Sequence, residues 1–210
     1  MSLPVSITKN GILLLLFALL TAGLLATTYE GTKATIAAAE RRAAEKALLD
    51  IIPGERIDND LLLDTLSIAE NAWPQLGLSG AHDLHLARKN NQIIAVIIPT
   101  TAADGYSGDI KMLAGVNRDG SIAGVRVLTH NETPGLGDKI DLKKHPWILG
   151  FNGRSLADPE PEQWTVKKDG GQFDQFTGAT ITPRAVVQQI RKVLEFVQSN
   201  EDSLFIDNSG

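Results

Sequence analysis

Three short segments of this chain carry residue types that bind and position polar groups rather than fill a core. They are Asp104-Gly105-Tyr106-Ser107-Gly108, His130-Asn131-Glu132-Thr133-Pro134-Gly135-Leu136-Gly137-Asp138-Lys139 and Asp174-Gln175-Phe176-Thr177-Gly178-Ala179-Thr180-Ile181-Thr182. In the third, the hydroxyls of Thr177, Thr180 and Thr182 fall just before a helical pattern. The first turn of a helix has unpaired N–H groups and the positive end of its dipole, and both favour an anion. Gly178 lets backbone approach a bound group closely. The chemistry indicated is phosphate binding. A capped helix behind a glycine turn accounts for the same residues, and the spacing leaves both readings open.

Other site signatures fall away. No GxxxxGK[ST] string is present, so this is not a Walker-type loop. Gly135-x-Gly137 lacks the third glycine of a dinucleotide fingerprint and follows Pro134. His82 and His85 lie in a strand-like segment with no carboxylate cluster, so no metal site is expected there.

The elements that must hold these loops can be read from turn residues and periodicity. Asp83–Arg88 and Gln92–Pro99 flank Lys89-Asn90-Asn91 as a hairpin. Asp109–Asn117 and Ser121–Thr129 flank Arg118-Asp119-Gly120, where Asp-Gly suits a tight turn needing positive φ. Gln163–Lys167 is a shorter strand candidate, and Leu61–Ala72 a helix closed by Pro74. The last helix is the best marked. Thr182 can cap it, Pro183 fits its first turn, and Val186, Ile190, Val193 and Val197 recur at helical spacing. Strands in the middle and helices at the ends make an α+β fold with a central, mainly antiparallel sheet and flanking helices.

The N-terminus reads as a membrane element. Gly11–Tyr29 carries no charge, and as a helix rising about 1.5 Å per residue it is roughly 28 Å long. Lys9 precedes it and Glu30 is the first acidic residue, so positive charge stays on the cytoplasmic side, with the N-terminus in and the rest out. A cleaved signal peptide is the competing reading, with a poor cleavage site around Leu24–Thr28. Thr32–Leu49 is rich in Ala, Lys, Arg and Glu and continues as a stalk helix ending before Pro53-Gly54. The expected organisation is an anchor over 1–29, a stalk over 30–54, one domain over 55–205 and a tail over 206–210.

Composition narrows the function class. The chain has 210 residues, no cysteine, and a formal net charge of −5. Zero Cys excludes disulfides, Fe–S clusters, thiolate metal sites and cysteinyl flavin. The acidic balance argues against a nucleic-acid partner.

The string Asp174-Gln175-Phe176-Thr177-Gly178-Ala179-Thr180 resembles the Asp-x-x-(Ser/Thr)-Gly-Ala-Thr signal recognised by bacterial flavin transferases. With GYSG at 105–108, HNETPGLGDKI at 130–140 and WTVKKDGGQFDQFTGATITPRAV at 164–186 behind an anchor, nearly the whole chain resembles the G-type component of the Rnf (Rsx) electron-transport complex. A related domain occurs in the C-type component of the sodium-translocating NADH:quinone reductase.

The resemblance implies FMN joined through its phosphate to Thr180, an attachment that needs no thiol. Asp174 and Thr177 are then signal residues for the transferase, with Gly178 and Ala179 between them and the acceptor; Thr177 could also bond the phosphate. Thr182 is left as the helix cap. The Glu132, Thr133, Gly135, Leu136 and Gly137 loop would embrace the flavin, offering hydroxyl and backbone N–H donors and Leu136 as an apolar contact. Tyr106 and Ser107 would add a hydrogen bond and a stacking face, or Tyr106 would simply pack. His130 has a role at the site or packs; Lys167 and Lys168 offset phosphate charge or form a solvated strand end.

The implied function is that of an electron carrier within a complex that couples electron transfer between ferredoxin and NAD to Na⁺ or H⁺ translocation. Its partners would be the A, B, C, D and E components of Rnf, a flavin transferase and the inner membrane, with the domain in the periplasm. No catalytic residue and no metal is implied for this chain alone. Two rivals stand beside this reading: a sensory membrane protein built on a similar flavin domain, and an anchored module binding a free phosphorylated ligand.

Overall fold

The computed structural model describes residues 3–206; residues 207–210 of the expected C-terminal tail lie outside the described residues. Anchor and stalk segments run in one helix, α1 (Leu3–Leu49), which ends before Pro53 as expected. Within it Lys9–Lys33 is long and apolar enough to cross a membrane. Residues 1–44 form one unit and residues 45–210 a second, compact one.

The compact unit is built on a five-stranded antiparallel meander: β1 (Thr65–Ser67), β2 (Asp83–Lys89), β3 (Gln92–Ala102), β4 (Ile110–Asn117) and β5 (Ile122–Thr129). Both hairpins form where the turn chemistry places them. Asn90 and Asn91 take positive φ of 51° and 64°, so β2 and β3 are joined by two residues and Lys89 pairs with Gln92. Gly120 takes φ +79° in the β4–β5 turn, and the Asp119 carboxylate accepts from the Ser121 N–H and hydroxyl at 2.9 and 2.6 Å. Those bonds hold the Asp119 carboxyl below its usual range. β3 runs on through Pro99 to Ala102. Pro99 lies beyond Ile97, the last β3 residue paired to β2, so its missing N–H breaks no ladder there.

The sheet buries both faces, which explains the nearly continuous apolar run of β3. On one face Val96, Ile98, Met112, Ala114 and Val125 pack with α3 (Ile181–Ser199; α2 is the short Trp73–Leu76 helix) through Val186, Ile190, Val193 and Val197. On the other, Ala95, Ile97 and Leu113 pack with Leu48, Ile51 and Ile52, just at and after the end of α1. Gly115 and Gly124 are cross-strand partners on this face and form the seat of Ile51. A Cβ on Gly115 would fall 2.4 Å from Ile51 Cγ2.

Two expected elements are absent. Leu61–Ala72 is not a helix but a turn, β1 and a 3-10 turn at Glu70–Ala72. Its apolar residues serve different cores: Leu61 joins the cluster around Ile97, whereas Ile68 joins that around Val96. One helix face cannot do both, and the segment crosses the sheet edge instead. Gln163–Lys167 makes one isolated bridge, Val166 to Phe173, between 3-10 turns at Pro161–Gln163 and Lys167–Asp169. Gly170 at φ +88° reverses the chain, and a Cβ on Gly171 would fall 2.0 Å from the Thr165 carbonyl oxygen. The chain folds back on itself too soon to find a sheet edge.

Candidate functional site

The three loops singled out by residue type converge at one end of the sheet. The first, 103–109, links β3 to β4; the second follows β5; the third leads into α3. Glu132 is the junction. Its side chain is buried at 4% exposure. Oε1 accepts from the Ser107 N–H at 2.9 Å, and Oε2 accepts from the Thr182 hydroxyl. Its own N–H donates to His130 Nδ1 at 3.1 Å, so His130 supports the loop through this bond.

The 132–138 loop is tightly self-bonded. Gly135 N–H donates to Asp138 Oδ1 at 2.8 Å, and the N–H groups of Leu136 and Gly137 donate to the Thr133 carbonyl at 3.1 Å each. Gly135 adopts φ +78° at the bend. This corrects the expectation that these backbone groups donate to a ligand: they are spent inside the loop. What the loop presents outward is Thr133 and the side chain of Leu136. Asp138, buried and outside the expected set, is the residue that closes it by accepting from the Gly135 N–H.

At the start of α3 the structure also departs from expectation. Thr180, not Thr182, occupies the N-cap position, and it makes no side-chain capping bond. Thr182 is fully buried inside the first turn, its hydroxyl given to Glu132. Pro183 lies in that turn as expected and brings no N–H; the first helical N–H to close the ladder is Arg184, onto the Thr180 carbonyl at 3.3 Å. The N–H groups of Ile181 and Thr182 precede that first ladder bond, at the positive end of a 19-residue helix.

A cavity of about 320 Å³ opens here, lined by Tyr106, Glu132, Thr133, Leu136 and Gly137 on one side and by 178–182 on the other. Gly178, at φ +82°, lies against Leu136: a Cβ there would come within 3.4 Å of Leu136 Cδ2. Eight of the residues expected at the site line this cavity: Tyr106, Glu132, Thr133, Leu136, Gly137, Gly178, Ala179 and Thr180. Tyr106 is 67% exposed, so ordinary packing does not account for it. Ser107 and Gly135 act through their backbone bonds. Asp174 and Thr177 do not line it. They border a separate hollow of about 520 Å³ with Lys139, His145 and Trp147. Ile181 and Thr182 line the cavity of about 320 Å³ too, although residue type and resemblance did not mark them as flavin contacts.

The 174–180 segment is pinned from behind. Lys167 Nζ lies 2.6 Å from Asp174 Oδ1, an exposed pair of little energetic weight, and the Lys168 N–H donates to Gln175 Oε1 at 3.2 Å. The indole N–H of Trp147 donates to the Asp174 carbonyl at 2.8 Å. Phe176 is buried against Trp147 with ring centroids 5.1 Å apart. Trp147 gives no local signal in the sequence; only the fold brings it across.

His82 Nδ1 bonds the Gly80 carbonyl and His85 Nδ1 the Leu61 carbonyl, and among the described residues neither belongs to a cluster of three or more metal-ligating side chains.

Comparison with known proteins bears on this arrangement. Residues 105–195 match the family model described as an FMN-binding domain, and residues 1–51 match that of the RnfG N-terminal region. The G component of the ion-translocating oxidoreductase complex of Pseudomonas aeruginosa is 47% identical over 95% of this chain and 92% of its own length. Its counterparts in Vibrio cholerae and Pseudoalteromonas atlantica, which bear the same name, are 44% and 43% identical over 95% of this chain, covering 94% and 92% of their own lengths. The chain belongs to the RnfG family, the G components of the Rnf ion-translocating oxidoreductase complex, and it carries that family's FMN-binding domain.

Proposed function

We propose that this chain is the electron-carrying flavoprotein of a membrane-bound Rnf complex, with FMN esterified through its phosphate to Thr180. The observation that carries the assignment is the contrast among three threonines. Thr180 is half-buried at the cavity, its hydroxyl in no capping bond. Thr182 also borders the cavity but is fully buried with its hydroxyl committed to Glu132, and Thr177 borders the other hollow.

The residues suit such a group. The first-turn N–H groups of α3 and its dipole favour the phosphodiester charge. Leu136, Tyr106 and Ile181 give the mouth of the cavity apolar and aromatic surface. Gly178 keeps the backbone close to Leu136, so the acceptor loop and the 132–138 loop form two walls. When bound, FMN supplies one- and two-electron redox chemistry; the protein supplies position and electrostatics. An ester through the phosphate leaves the ring free and keeps the cofactor from being lost.

The reading extends to the assembly. Lys9–Lys33 would anchor the chain in the inner membrane, N-terminus in the cytoplasm, with the domain on the periplasmic side. The chain would work with the A, B, C, D and E components of Rnf, after modification by a flavin transferase, in a complex coupling electron flow between ferredoxin and NAD to Na⁺ or H⁺ movement.

The test is Thr180→Val in membranes carrying the whole complex. Expected is a complex that still assembles but loses ferredoxin-dependent NAD reduction. Full electron transfer in the assembled variant complex would overturn the reading.

A further inference from the structure

We infer that Glu132 and Thr182 together are the positioning device that assembles the flavin-acceptor pocket, rather than contacts to the flavin itself. The inference rests on the reading of Thr180 as the acceptor.

Both oxygens of the Glu132 carboxylate are taken by protein donors. One holds the 105–108 loop through the Ser107 N–H at 2.9 Å, and the other holds the first turn of α3 through the Thr182 hydroxyl. Glu132 itself belongs to the 132–138 loop, so one buried carboxylate fastens all three segments. Hydrogen bonds to a charged acceptor are the strong ones, and a buried carboxylate that loses a donor is costly. Each loop therefore raises the cost of displacing the others.

The neighbouring glycines give independent support. A Cβ on Gly137 would fall 2.8 Å from both Glu132 Oε2 and Thr182 Oγ1, and one on Gly105 would fall 2.9 Å from Glu132 Oε1. The backbone of the 105–108 loop and that of Glu132's own loop thus close directly on the carboxylate and leave no room for a side chain at Gly105 or Gly137. The same arrangement divides labour between two threonines two residues apart. Thr182 Oγ1 is drawn into the core by Glu132, which fixes the rotation of the first helical turn and leaves Thr180 at the cavity.

The experiment uses the full chain co-expressed with a flavin transferase. The readouts are the flavinylated fraction by intact mass early after induction, and the visible circular dichroism of the bound flavin. Glu132→Ala and Thr182→Val should each lower early flavinylation about tenfold or more, and the double variant should be no worse than Glu132→Ala alone, because that substitution already removes the Thr182 bond. Thr182→Ser and Glu132→Gln, which keep a hydrogen bond at the junction, should recover most of it. The flavin that does attach to Thr182→Val should show altered circular dichroism. If Glu132→Ala does not fold, Thr182→Val against Thr182→Ser makes the same comparison. Folded variants that load as fast as the wild type with unchanged flavin dichroism would overturn the inference, and so would defects that multiply in the double variant. A wild-type protein with no flavin on Thr180 would instead overturn the acceptor assignment beneath it.

Discussion

The Trp147 indole N–H donates to the carbonyl of Asp174 at 2.8 Å, tying the first residue of the 174–180 segment to a 3-10 turn (Pro146–Phe151) far from it in sequence. Phe176, two residues on, packs edge to face against the same indole. The aromatic group continues through Phe151, Phe173 and Trp164, so the segment rests on a packed base. Trp147→Phe keeps the ring contact and removes the donor. Denaturant unfolding should show a loss of about 0.5–1 kcal/mol, as for one hydrogen bond at a wet site. No change in stability would mean the bond does not hold the segment.

The seat for Ile51 gives a packing prediction. Gly115→Ala places a methyl against Ile51 Cγ2 and should destabilise the domain by about 1–3 kcal/mol. Combined with Ile51→Ala, the loss should be smaller than the sum of the two single losses, because the clash is relieved. Strict additivity in a double-mutant cycle would contradict the close approach.

How much of this is legible in sequence depends on how local the signal is. Asn90-Asn91 and Asp119-Gly120 announce their hairpins because the required φ is a property of those residues. The period of Val186, Ile190, Val193 and Val197 marks α3 because one face meets one core. Leu61–Ala72 misleads because its apolar residues divide between two faces of the sheet. The site loops are visible by composition, but their internal bonds are not. Nothing local says that the Gly135 N–H serves Asp138, or that Thr182 turns inward to Glu132. Those depend on which oxygen the fold brings near, as does the reach of Trp147.

A pH dependence follows from the bidentate pair behind the site. Arg184 Nε and Nη2 donate to Asp169 at 2.6 and 3.0 Å. The Arg184 guanidinium holds the Asp169 carboxyl below its ordinary 3.8, and Asp169 in turn raises Arg184. A carboxyl depressed in the folded state contributes stability above its unfolded value and loses it as pH falls through the folded one. The unfolding midpoint of the wild type should therefore drop more steeply below about pH 4 than that of Arg184→Gln, with the two converging at the lowest pH. Parallel curves across that window would show the pair to be inert, as exposed pairs often are.

The membrane topology is open to a direct test. A reporter active only after export, fused behind Gly210, should be active, and one active only in the cytoplasm should be silent. The reverse pattern would put the domain on the cytoplasmic side and overturn the proposed localisation.

The central claim is that Thr180 carries FMN, and intact-mass analysis of denatured protein co-expressed with a flavin transferase addresses it most directly. The wild type should gain the mass of FMN less one water, located by fragmentation to Thr180, and Thr180→Val should have only its polypeptide mass. A Thr180→Val protein that still carries the full FMN increment would contradict the account.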